Sequence, residues 1–85
     1  MWLMTTYGFY SVVVDGQDKT GSNVLVRART KTHLTNLGKR FKTLLGKYQI
    51  TETLNSDYRW RISVDQTVWS EVTRLLSLEI EYDNF

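Results

Sequence analysis

The sequence predicts an α+β fold in the order ββαββα, a four-stranded antiparallel sheet with two helices packed on one face. Three observations lead there. The runs Val24-Leu25-Val26-Arg27-Ala28-Arg29-Thr30 and Tyr58-Arg59-Trp60-Arg61-Ile62-Ser63-Val64 alternate apolar and polar residues, the period of a half-buried strand. Each run leads into a stretch with apolar residues at helical spacing. Each is also preceded by a further strand-like segment. Two amphipathic helices need one apolar sheet face to cover, which leaves the opposite face open.

In chain order, residues 2–15 read as one long strand or as two strands bent at Gly8, because Phe9-Tyr10-Ser11-Val12-Val13-Val14 is aromatic and β-branched. Gly8 marks a bulge or a close backbone approach. Asp15-Gly16 and the polar residues up to Ser22, with a second glycine at Gly21, form a turn-rich connection whose length predicts a flexible hairpin loop. No helix start follows Gly21, so a phosphate-cradling loop is not expected. Thr30 or Thr32 then caps a helix to about Leu45, with Leu34, Leu37, Phe41, Leu44 and Leu45 on one stripe and Gly46 placed to end it.

Tyr48-Gln49-Ile50-Thr51-Glu52-Thr53 is a short, weakly alternating third strand, and Asn55-Ser56-Asp57 is turn chemistry. The strand 58–64 follows. Asp65 caps a second helix to about Leu78, whose core stripe is Val68, Val72, Leu75 and Leu76 with Trp69 beside it. Ile80, Tyr82 and Phe85 either pack back on the body or hang free. The stretches 24–37 and 58–72 share one strand–cap–helix design, as an internal repeat or a common supersecondary unit would.

With 85 residues, 41% hydrophobic and 13% aromatic, the chain is globular and reads as a single domain, residues 1–85. It has no cysteine, which excludes disulfides and thiolate metal sites, and its single histidine, His33, excludes a multi-histidine metal site. Met1 to Met4 is apolar, but Thr5 and Thr6 interrupt it at once with no basic region before it. Neither a signal peptide nor a membrane span is expected, and the cytoplasm is the default.

The net charge of +2 conceals an asymmetry. Residues 24–47 hold seven cations and no acid, whereas residues 48–85 hold three arginines against seven acids, a net of −4. A basic middle suits polyanions, and an acidic tail is placed to compete for it.

No catalytic constellation is expected. His33 falls in the first turn of a helix beside a threonine, where a structural role outweighs general-base work. Asp15 and Asp18 lack EF-hand spacing, Glu79 and Glu81 lie in a tail rather than a cleft, and nucleophile-elbow, P-loop and zinc patterns are missing. No cofactor or metal is expected, and the chain reads as a non-enzyme.

The arginines are the sharper signal. Arg27, Arg29, Arg59 and Arg61, with Lys31 nearby, form a grid suited to phosphates or carboxylates on the open face. Tyr10, with Tyr7 and Trp2, supplies stacking surface of the kind single-stranded nucleic acid binders use. The expected function is a small binding module for nucleic acid or another polyanion. The alternative is a protein-interaction module or inhibitor, of phage origin in one version, docking on an acidic protein surface. Against both stands pairing of the same arginines with acids, including Glu79, Glu81 and Asp83 of the tail. The N-terminal strand, as a sheet edge, offers a route to a homodimer.

Met1-Trp2, Tyr7-Gly8-Phe9-Tyr10-Ser11-Val12-Val13, Val26-Arg27-Ala28-Arg29, Asp57-Tyr58-Arg59-Trp60-Arg61 and Glu81-Tyr82-Asp83-Asn84-Phe85 together resemble a family of small uncharacterised bacterial and phage proteins that read MW…GFFSVV…VRAR…DYRYR…IDYDNFK. The resemblance keeps the segments in order, with departures at Trp60 and Glu81. It implies one intact domain and brings no established activity with it.

Overall fold

The computed structural model describes residues 1–79. It is α+β with an antiparallel sheet, but the sheet has five strands and the chain three helices, in the order βββααββα. The strands are β1 (Trp2–Thr5), β2 (Gly8–Val14), β3 (Asn23–Ala28), β4 (Thr51–Glu52) and β5 (Trp60–Asp65). The helices are α1 (Lys31–Arg40), α2 (Lys42–Leu45) and α3 (Gln66–Leu78). Across the sheet the order is β1-β2-β3-β5-β4.

Two departures from ββαββα have local causes. The N-terminal run is two strands joined by a tight hairpin, with Thr5 paired to Gly8. The turn carries no Asn-Gly or Asp-Gly signal; the Thr5 hydroxyl substitutes, accepting from the amides of Tyr7 (3.0 Å) and Gly8 (3.2 Å) and donating to the Gly8 carbonyl (3.1 Å). The expected single helix to Leu45 breaks at Phe41, whose backbone leaves the helical region at φ −115°, ψ 48°. Phe41 still buries its ring, so the apolar stripe survives the break. Gly46 stands at the end of α2 with a helical φ of −62°, not the left-handed cap expected of it.

The loop after β2 is more ordered than its glycines suggest. The Asp18 carboxylate accepts from the Thr20 hydroxyl (2.7 Å) and from the amides of Thr20 (3.2 Å), Ser22 (2.9 Å) and Asn23 (2.7 Å), and these bonds, the hydroxyl's foremost, hold its pKa below the usual range. At the start of α3, Asp65 accepts from the Thr67 amide at 2.8 Å, the N-cap expected from the sequence.

One core joins sheet and helices. Tyr10, Val12, Val26, Ala28, Ile62 and Val64 meet Leu34, Leu37, Phe41, Leu45, Trp69, Val72 and Leu76 in a single buried cluster. Strand alternation sends Ser11, Arg27 and Arg61 to the other face, which no helix among the described residues covers. No helix among the described residues is long and apolar enough to cross a membrane.

Candidate functional site

The register of the central strands is set from the core side. Val26 opposes Ile62 and Ala28 opposes Trp60, so Arg27 must oppose Arg61. A one-residue slip would carry the core-facing side chains Val26 and Ala28 to the open face, so the arginine pair persists although like charges opposite each other on a sheet are unfavourable. Continuing outward, Arg27 also opposes Ser11, Ser11 opposes Trp2, and Arg61 opposes Thr51. One row of the open face therefore reads Trp2, Ser11, Arg27, Arg61, Thr51.

Short hydrogen bonds hold the two guanidinium groups in place. Arg27 Nη2 donates to the Ser11 hydroxyl at 2.8 Å. Arg61 Nη2 donates to the Tyr58 carbonyl at 2.9 Å and to the Ser56 hydroxyl at 3.4 Å, tying down the turn before β5. That turn passes through Asn55 at a positive φ of 64°, a conformation asparagine tolerates better than most side chains. It brings the Tyr58 ring over the arginines, with Arg27 Cζ 5.0 Å and Arg29 Cζ 5.4 Å from the ring centroid. Trp2 lies edge-on to Tyr58 at 5.8 Å and against Phe9 at 5.4 Å, yet 66% of Trp2 remains exposed.

No carboxylate among the described residues compensates the charge of the site. Among the described residues, ion pairs join Arg40 to Glu79, Arg59 to Glu52 and Arg74 to Glu71, and none reaches Arg27, Arg29 or Arg61. Arg27 Nε, Arg61 Nε and the Tyr58 hydroxyl are also buried without a hydrogen-bond partner. Three of the four such side-chain atoms found among the described residues thus fall in this one cluster, an uneven distribution of a costly feature.

The expected site residues divide. Arg27, Arg29 and Arg61 come together as expected. Arg59 turns away, its Nε bonded to Glu52 and its Cζ 5.9 Å from the Trp60 ring centroid. Lys31 sits at the start of α1 with its ammonium 5.5 Å from the Trp60 ring centroid, on the helix side of the sheet. Tyr10 is a correction: it is fully buried in the core and its hydroxyl donates to the His33 carbonyl at 2.6 Å, so it offers no stacking surface. Tyr7 likewise packs edge-on against Phe41 on the core side.

The tail partly resolves as well. Glu79 pairs with Arg40 and accepts from the Tyr7 hydroxyl at 2.8 Å, rather than meeting the sheet arginines. Glu81 and Asp83 lie outside the described residues. Tyr58 and Phe9, read as core and as buried strand, belong instead to the open face; their neighbours Asp57 and Gly8, both turn-forming, were the available signal.

Beside the arginines the same face holds a shallow groove of about 460 Å³, lined by Asp15, Leu25, Gln49, Thr51, Arg61 and Ser63 among others. Ser63 donates to the Asp15 carboxylate at 2.6 Å and accepts from Asn23 at 3.1 Å. No cluster of three or more metal-ligating side chains occurs among the described residues.

No protein-family model matches the chain, and neither a curated protein nor a solved structure does. The chemistry of the face, rather than kinship, carries the functional argument.

Proposed function

We propose that the protein is a small non-enzymatic binding module whose open sheet face takes a polyanion, single-stranded nucleic acid above others. The observation that carries this reading is the Arg27–Arg61 pair, opposed across two strands with no carboxylate among the described residues within ion-pair distance. An incoming phosphate relieves the repulsion between them and meets preset donors. The adjacent Trp2 and Tyr58 rings favour nucleic acid over a featureless polyanion, because bases stack and sulfates do not.

The test is fluorescence anisotropy of a labelled single-stranded oligonucleotide at low salt, with Arg27→Ala as the variant. Binding that weakens steeply with salt and is lost in R27A supports the reading; no binding by the folded wild-type chain overturns it.

A second reading rests on a different observation. Met4, which opposes Phe9, is 82% exposed and stands next to the 66% exposed Trp2. An aromatic and apolar patch rimmed by arginine is also the chemistry of an interface anchor against an acidic protein. A folded chain that captures a protein partner yet binds no single-stranded oligonucleotide at low salt favours this second reading over the first.

A further inference from the structure

The open face has an order across it, and that order resembles a length of nucleic acid strand. Trp2 lies on β1 and the guanidinium pair on β3 and β5, while the groove opens over the neighbouring Leu25–Ser63 row of the same two strands, with Thr51 of β4 at its side. Ring and cations therefore follow one another across the strands, and the groove adjoins Arg61 one row further along them. In the strand register only Ser11 stands between Trp2 and Arg27, its small side chain buried, and the Tyr58 ring lies over that step, 5.8 Å from Trp2 and 5.0 Å from Arg27 Cζ.

We infer that the unit recognised is a dinucleotide step: one base stacked on Trp2, its phosphodiester on Arg27 and Arg61, and the next base seated in the groove. This rests on the polyanion reading above and sharpens it to a ligand whose bases contribute as much as its charge. Each part of the face suits its portion of the step. Trp2 has one flank against Phe9 and Tyr58 and is otherwise exposed, as a stacking platform requires. Adjacent strands lie about 4.8 Å apart, so the two guanidiniums can share one phosphate. The groove has an apolar floor in Leu25 and a polar wall in Asp15, Ser63 and Gln49, which can meet the edge of a flat heterocycle with both donors and acceptors. A plain polyanion such as polyphosphate would leave both the ring and the groove empty.

The experiment compares a single-stranded DNA hexamer with an abasic hexamer carrying the same phosphates, titrated into the full chain at one low salt concentration. The expected result is at least about tenfold tighter binding of the hexamer. Trp2→Ala and Leu25→Trp, the latter filling the groove, are each expected to lower that preference several-fold, whereas Arg27→Ala weakens both hexamers alike. If L25W proves unfolded, Gln49→Trp narrows the groove from an exposed position and takes its place. Equal affinity for the two hexamers overturns the dinucleotide inference and leaves the polyanion reading standing. A preference that survives both variants also overturns it, since the bases would then be bound elsewhere. Failure of both hexamers to bind overturns the polyanion reading itself.

Discussion

Gly8 and His33 nearly share the same space. The Gly8 backbone runs at φ 156°, and a Cβ there would fall against the imidazole, 2.6 Å from His33 Cβ. His33 Nδ1 meanwhile accepts from the Phe9 amide at 3.4 Å, so the ring serves the β1–β2 hairpin as a packing and hydrogen-bonding partner. Gly8→Ala is expected to cost about 1–3 kcal/mol in urea unfolding, and to cost less in a His33→Ala background, where the ring is gone. Tyr10 is the second residue whose environment makes a measurable claim. Burial pushes its phenol pKa above the ordinary tyrosine range, with a smaller opposing effect from Thr5. The folded state therefore holds that proton more tightly than the unfolded state. Its contribution to stability is complete below the unfolded pKa of about 10 and declines as pH rises past it. Urea midpoints are expected to fall above pH about 10, and Tyr10→Phe to flatten that fall while costing about 1 kcal/mol at neutral pH through the lost bond to the His33 carbonyl. At the acid end the signs reverse. Hydrogen bonds to Asp18 and Asp65, from Thr20 and Thr67 foremost, lower both pKa values, so their contribution is present above the unfolded value near 4 and is lost as pH falls below it.

Among the elements, α1 and the β3–β5 pair matter most to the face. Leu37 is fully buried where α1 meets the sheet, and Leu37→Ala is expected to lose about 2–5 kcal/mol, read by chemical denaturation. The β3–β5 ladder depends on the core side alone for its register, which has a consequence for its arginines. Because Arg27 opposes Arg61 and, among the described residues, makes a Ser11 hydroxyl bond and ring contact alone, Arg27→Ala is expected to leave stability within about 1 kcal/mol of wild type. Arg61 differs, since it holds the Tyr58 carbonyl and Ser56; its replacement loosens the turn as well as removing charge. A loss of binding in R27A at unchanged stability thus isolates the charge.

At the scale of the molecule, charge count and charge placement part company. Arg59 is as basic as Arg27 in the sequence, but its guanidinium is engaged by Glu52. In a plot of log affinity for a single strand against log salt, R27A is expected to reduce the slope by about 1, and Arg59→Ala by much less.

Much of this was legible from the chain. The period-two pattern of 24–30 and 58–64 located β3 and β5, although β5 begins only at Trp60, and assigned Arg27, Arg29, Arg59 and Arg61 to the face away from Val26 and Ile62, because alternation is a property of the extended backbone itself. The stripes of α1 and α3 and the Asp65 cap were legible for the same local reason, whereas Thr30 precedes α1 without a side-chain capping bond and the helix breaks at Phe41. The Thr6-Tyr7 turn was not, because a threonine side chain stood in for the usual turn residues. Nor was the side of Tyr10: Phe9-Tyr10-Ser11 is apolar or small throughout, so the run does not say which alternate set is buried, and only the position of α1 decides it.

The sequence by itself thus determined that a sheet with a basic open face exists, since strand period and helix stripe depend on neighbours a few residues away. Tertiary structure alone decided the membership of that face. It paired Arg59 and Glu79 elsewhere, buried Tyr10, and folded the turn at Asn55 so that Tyr58 reaches Trp2 and Arg27 from far along the chain. Contacts between residues so distant in sequence are fixed by how the layers pack, a property no local pattern encodes.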